Sequence, residues 1–153
     1  MKLIIYALLP FTLAGCFLGA GTHGSIKRYQ YTVTKYELEK AVKKILVNSL
    51  HVKYDKFDSI DVFNENATYL KIIINQSDGD YKYTFRYYGD SLDWKKSKNS
   101  ELFITHAFDK DGNGGHEGDK GLVKAEDKLI TIFESEFISK VDSTLNIRHL
   151  DNR

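Results

Sequence analysis

The sequence predicts an α+β fold, a two-layer sandwich in which a mostly antiparallel sheet of three or four strands carries two amphipathic helices on one face. Three observations carry this expectation. Period-two alternation recurs in short segments rich in Tyr, Ile and Phe. Apolar residues recur at three- and four-residue spacing in two longer stretches, and clusters of turn-forming residues separate these elements.

Tyr29, Tyr31 and Val33 alternate with Gln30 and Thr32 and read as a first, extended strand. Thr34-Lys35-Tyr36-Glu37 then fits a capping box, in which the Thr34 hydroxyl accepts from the Glu37 backbone N–H while the Glu37 side chain returns to the cap. Leu38, Val42, Ile45 and Leu46 predict an amphipathic helix to about Leu50, with Lys40, Lys43 and Lys44 on its basic face and His51 set against its dipole at the C-terminal end. Thr68 to Asn75 is rich in Ile and Leu, Ser77-Asp78-Gly79-Asp80 supplies a turn, and Tyr81 to Tyr88 alternates, so the three predict a hairpin. Gly89 to Ser100 reads as polar and irregular, and Glu101 to Phe108 as a further strand. Within the irregular stretch, Trp94, Lys95, Lys96 and Lys98 read either as an exposed loop or as a contact for anionic head groups. From Leu122 to Leu145, apolar side chains fall largely on one face of a long closing helix, which sets Phe133 and Phe137 in the core and Glu134 on the solvated side.

Period-two bookkeeping divides the hairpin. Leu70, Ile72, Ile74, Tyr81, Tyr83, Phe85 and Tyr87 make the more apolar face. Tyr69, Lys71, Ile73, Lys82, Arg86 and Tyr88 fall on the other, a mixed aromatic and cationic surface of the kind enriched at protein interfaces. Half-buried strand residues chosen for β-propensity give the same pattern. Tyr69, Lys71, Lys82, Arg86 and Tyr88 are the candidate partner-binding residues.

The N-terminus decides where the protein works. Lys2, an apolar run from Leu3 to Leu13 and the small residues Ala14 and Gly15 have the layout of an export signal. The run is too short to span a bilayer, which takes about 20 apolar residues. Leu13-Ala14-Gly15-Cys16 resembles the lipobox of bacterial lipoproteins. The resemblance implies cleavage before Cys16, a diacylglyceryl (palmitate-type) anchor on its thiol and acylation of the new N-terminus. The implied organisation is a signal peptide over residues 1–15, a lipidated tether over 16–25 and one α+β domain over 26–153. Phe17 to Gly24 contains three glycines and no charge, so as a random coil it holds the domain on the order of 15 to 20 Å from the anchor. Phe17 rather than Asp follows the cysteine, which in lipoproteins leans toward the outer membrane, facing the periplasm. The mature part also resembles small uncharacterised lipoproteins of Gram-negative bacteria through residues 21–26 (Gly-Thr-His-Gly-Ser-Ile), residues 85–90 (Phe-Arg-Tyr-Tyr-Gly-Asp) and the Asp109 to Gly118 loop. That resemblance implies no activity.

Cleavage would remove the only Pro, the only Met and Lys2, bringing the 22 basic residues down to match the 21 acidic ones. A neutral surface argues against nucleic acid as a partner. The sole cysteine would be acylated, leaving no thiol for zinc, a disulfide or nucleophilic catalysis. The chain has no Gly-x-Ser-x-Gly elbow and no His-Glu-x-x-His helix. His106, His116 and His149 lack metal-ligand spacing, and His106 reads as a partnered sheet residue.

Asp109-Lys110-Asp111-Gly112-Asn113-Gly114 matches the first half of a calcium-binding EF-hand loop, with Asp109, Asp111 and Asn113 at ligand positions and glycine where the turn needs it. The bidentate ligand position holds Lys120, although Glu117 or Asp119 could substitute from a differently shaped loop. The segment therefore reads as a weak Ca2+ site using Asp109, Asp111, Asn113 and Glu117, or as a solvated glycine-rich turn. The functional expectation is a non-catalytic, membrane-anchored envelope lipoprotein that needs no cofactor and binds a protein partner or assembly through an open sheet face. The alternatives are a calcium-dependent module built on the Asp109–Gly118 loop and a small periplasmic hydrolase.

Overall fold

A computed structural model describes residues 24–55 and 69–152. The signal segment, Cys16 and the tether up to His23 lie outside the described residues. The fold is α+β, with strands β1 (Lys27–Tyr31), β2 (Val52–Tyr54), β3 (Tyr69–Gln76), β4 (Gly79–Tyr87), β5 (Ser100–Phe108), β6 (Gly114–His116) and β7 (Leu150–Asn152). The helices are α1 (Lys35–Asn48), α2 (Ser91–Lys96), α3 (Lys120–Phe133) and α4 (Ser139–Leu145). All strand pairs are antiparallel, in the order β2-β3-β4-β5-β1-β7, and β6 continues the edge of β5 beyond β1.

The sheet thus has seven strands rather than three or four. The additional strands β2, β6 and β7 have three residues each, too few to carry a readable period. A third, short helix also forms within the stretch expected to be irregular. Asp90 caps α2 by accepting from the Leu92 and Asp93 backbone N–H groups, and Asp93 returns the capping box. Trp94 is packed there: its indole N–H donates to the Tyr88 carbonyl at 2.7 Å, and the Lys35 ammonium lies 4.4 Å from its ring centroid.

The expected capping box at Thr34 and Glu37 is present and starts α1. Leu38, Val42 and Ile45 of this helix are buried with Leu129, Phe133, Phe137 and Val141 against one sheet face, which is paved by Tyr29, Tyr31, Ile72, Ile74, Tyr81, Tyr83, Phe85 and Tyr87. The period-two assignment of β3 and β4 therefore holds residue by residue. Helix α1 ends at Asn48, with Ser49 as C-cap and no basic residue in its last turn, so His51 lies beyond the dipole.

The closing helix is not uniformly α-helical. Between α3 and α4, Glu134–Ile138 forms a π turn. Glu134, the first residue of this turn, is half-buried rather than on the solvated side expected for it. Its carboxylate pairs with Lys27 and accepts the Tyr29 hydroxyl at 3.3 Å, tying the helix to β1.

Candidate partner-binding face

The second face of the sheet receives neither long helix. Because strand neighbours in register share a face, the pairing Tyr69↔Arg86, Arg86↔Phe103 and Phe103↔Arg28 sets these side chains in one row across β3, β4, β5 and β1. Phe103 is the centre of the row and is only 2% exposed, although it lies outside the main core. The Arg86 guanidinium approaches its ring centroid to 4.7 Å and that of Arg28 to 5.7 Å, from the strands on either side. Guanidinium groups stack on aromatic faces, which covers the ring and fixes the cations.

Tyr69 ends the row on the β3 side, and Tyr88 lies beside it. Arg86 donates from Nη1 to the Tyr69 hydroxyl at 3.4 Å, while its Nε is shielded from solvent and has no hydrogen bond among the described residues. Arg28 donates from Nε to the Ser25 hydroxyl at 2.8 Å and lies 6.0 Å from the Tyr88 ring centroid. Its Nη1 reaches Glu101 at 3.5 Å. Burial raises the Glu101 carboxyl above its ordinary range, against the pull of Arg28. Of the five residues expected to form the face, Tyr69, Arg86 and Tyr88 meet around Phe103. Lys71 and Lys82 lie farther along the same face, opposite Thr84 and Ile73. Arg28, Phe103 and Glu101 were missing from that set. Both faces of β5 are apolar around Leu102, Phe103 and Ile104, so alternation there does not say which side Phe103 takes.

In the Asp109 loop the carboxylate of Asp109 is engaged within the loop itself. Asp109 Oδ1 accepts from the backbone N–H groups of Asp111 and Asn113, at 3.0 and 2.8 Å, and Oδ2 accepts from the Asn113 amide at 3.0 Å. Desolvation pushes the Asp109 carboxyl up, but these donors from Asn113 and Asp111 outweigh it and leave it below the usual range. Asp111 is held by Lys110 at 2.9 Å. Gly114 serves close packing: its φ is +144°, and a Cβ there would sit 2.0 Å from the Ala107 carbonyl oxygen. Glu117 lies against Gly24 rather than beside Asp109.

Among the described residues, Glu134, His149 and Asp151 are the acidic and imidazole side chains that converge closely enough to share a cation. The Lys27 ammonium pairs with both carboxylates of this trio and supplies a positive charge in place. Desolvation opposes that charge, but Glu134 and Asp151 outweigh it and raise the Lys27 pKa. His149 directs Nδ1 at Asp142 at 2.9 Å and Nε2 at Asp151 at 3.5 Å, and Tyr31 donates to Asp142 at 3.0 Å. His106 and His116, distant in sequence, are cross-strand partners with ring centroids 6.0 Å apart. No family model, curated protein or solved structure matches the chain.

Proposed function

We propose that this chain is a non-catalytic envelope lipoprotein, held by acyl chains on Cys16 at the outer membrane facing the periplasm, that docks a protein partner on the open sheet face. The row Tyr69-Arg86-Phe103-Arg28 carries this reading, because it combines a fixed aromatic centre with arginines and exposed tyrosines, the residue types that anchor interfaces. The lipobox carries the location. Each buried methylene of an acyl chain contributes about 0.8 kcal/mol, and two or more chains hold a protein stably at a bilayer. No helix among the described residues is long and apolar enough to cross a membrane.

The test has two arms. Cys16→Ala shifts the protein from the membrane to the soluble or precursor fraction, and its recovery with membranes at the wild-type level overturns the anchor. A photo-crosslinking residue at position 88 captures a discrete protein adduct in intact cells, whereas the same residue at the exposed Val123, on α3, does not. Equal labelling at both positions removes the face from consideration.

A further inference from the structure

The partner's chemistry can be read from the charges in the row. Two guanidinium groups converge on Phe103, and one carboxylate, Glu101, accompanies them, on the Arg28 side. Among the described residues no carboxylate pairs with Arg86, whose single hydrogen bond is to a neutral phenol. Along the same face, Lys53, Lys71 and Lys82 accompany two carboxylates, Asp80 and Asp55, so with the row the cations outnumber the carboxylates five to three. In a chain with 22 basic and 21 acidic residues, such an excess on one face is a segregation of charge.

From these observations we infer that the occupant of the open face is an extended, acidic segment of a partner protein, whose carboxylates pair with Arg86 and Arg28 on either side of Phe103. This rests on the partner-binding reading above and specifies its chemistry. Strands lie about 4.8 Å apart, so the two arginines, separated by β5, are anchored about 10 Å apart. Carboxylates two or three residues apart on an extended peptide are spaced about 7 to 10 Å, which matches. Stacking on Phe103 orders both guanidiniums beforehand, so little side-chain entropy is lost when a carboxylate takes the terminal N–H groups of Arg86 or competes with Glu101 for those of Arg28.

A bilayer surface suits the face less well. Gly24, where the tether joins the domain, packs on Glu117, and the adjoining loop carries Asp109, Asp111 and Asp119. That loop has more acidic than basic residues and opposes the approach of anionic head groups, although Ser25, next to Gly24, touches Arg28.

The test uses the full chain in detergent with a blocked decapeptide in which glutamate alternates with serine, and its glutamine counterpart. The glutamate peptide is expected to bind at least tenfold more tightly than the glutamine peptide and to weaken as salt rises. Arg86→Gln and Arg28→Gln are each expected to erase most of that difference, while circular dichroism and melting temperature confirm folding. Equal affinity for the two peptides, or an unchanged preference in Arg86→Gln, overturns the acidic-segment assignment. If position 88 still crosslinks a partner in that case, the docking reading stands and only its chemistry falls. If position 88 captures nothing, the docking reading itself fails. Arginine-dependent cosedimentation of the Cys16→Ala chain with phosphatidylglycerol vesicles, without peptide preference, reassigns the face to lipid.

Discussion

On the helix-covered face, Tyr29, Tyr31, Tyr81 and Tyr83 are buried, and each sends its hydroxyl past the core to an acceptor at Glu134, Asp142, Asp78 or the Leu129 carbonyl. On the opposite face, Tyr69 and Tyr88 stand 37% and 51% exposed beside arginines. The residue type is the same, but its partners differ. A covered tyrosine has its ring in the core and a protein acceptor for its hydroxyl, so it fixes the helices on the sheet. An exposed tyrosine keeps most of its contact capacity for another molecule. Abundance of tyrosine in strands therefore does not mark a binding face, and neither does a cation beside it, since Lys27, Lys35 and Lys128 lie over covered tyrosines; exposure does.

Alkaline titration should separate the two faces most strongly. Burial raises the pKa values of Tyr29, Tyr31, Tyr83 and Tyr87 well above the ordinary value. Groups with raised folded-state values contribute stability that is fully present below the unfolded value, near pH 10, and is lost as pH rises beyond it. Each phenol costs about 1.4 kcal/mol per pH unit in that range, so unfolding within about two units of pH 10 is expected. Followed by tyrosinate absorbance and circular dichroism together, these phenols should ionise only as the fold is lost. Ionisation of all tyrosines before any loss of structure would break the distinction.

Next in size is the aromatic cluster behind the sheet. Phe133 lies 5.0 Å from Tyr83 and 5.1 Å from Phe137, centroid to centroid, and both phenylalanines are fully buried. Phe133→Ala or Phe137→Ala should cost about 3 to 5 kcal/mol in denaturant titrations. Glu134→Ala should cost about 1 to 2 kcal/mol, because it strips an acceptor from Tyr29 and a counter-ion from Lys27. An effect below about 0.5 kcal/mol would return Glu134 to the solvated side that α-helical phasing gives it.

A finer comparison lies within the covered face. Tyr83 donates to the Leu129 carbonyl at 3.0 Å, whereas the buried Tyr87 hydroxyl has no hydrogen-bond partner among the described residues. Tyr83→Phe should lose about 1 kcal/mol, while Tyr87→Phe should be neutral or slightly stabilising, since it removes an unsatisfied buried group. Equal losses in thermal melts would mean that the two hydroxyls are equivalent.

What the sequence made legible follows from how local each signal is. The capping box spans four residues, and the alternation of β3 and β4 runs long enough to assign both faces. Strands of three residues have no period to detect, and they form because a long neighbour offers an unpaired edge, as β5 does to β6. The row through Phe103 was half visible. Its Tyr69, Arg86 and Tyr88 sit on an alternating hairpin, but Arg28 belongs to a strand 73 residues before its contact with Glu101, and only the β1-β5 register joins them. The cluster of Lys27, Glu134, His149 and Asp151 was hidden for the same reason.

The π turn between α3 and α4 has a consequence for the length of the chain. A hydrogen bond from the Ser139 N–H to the Glu134 carbonyl encloses one more residue than an α-helical bond would. The closing helix thus holds one surplus residue, in a stretch where Ser135 is exposed. Deleting Ser135 would let the turn revert to α-helix, keeping Phe137 and Val141 in the core in one phase with Phe133. Homologous chains should therefore tolerate a single-codon gap at this position.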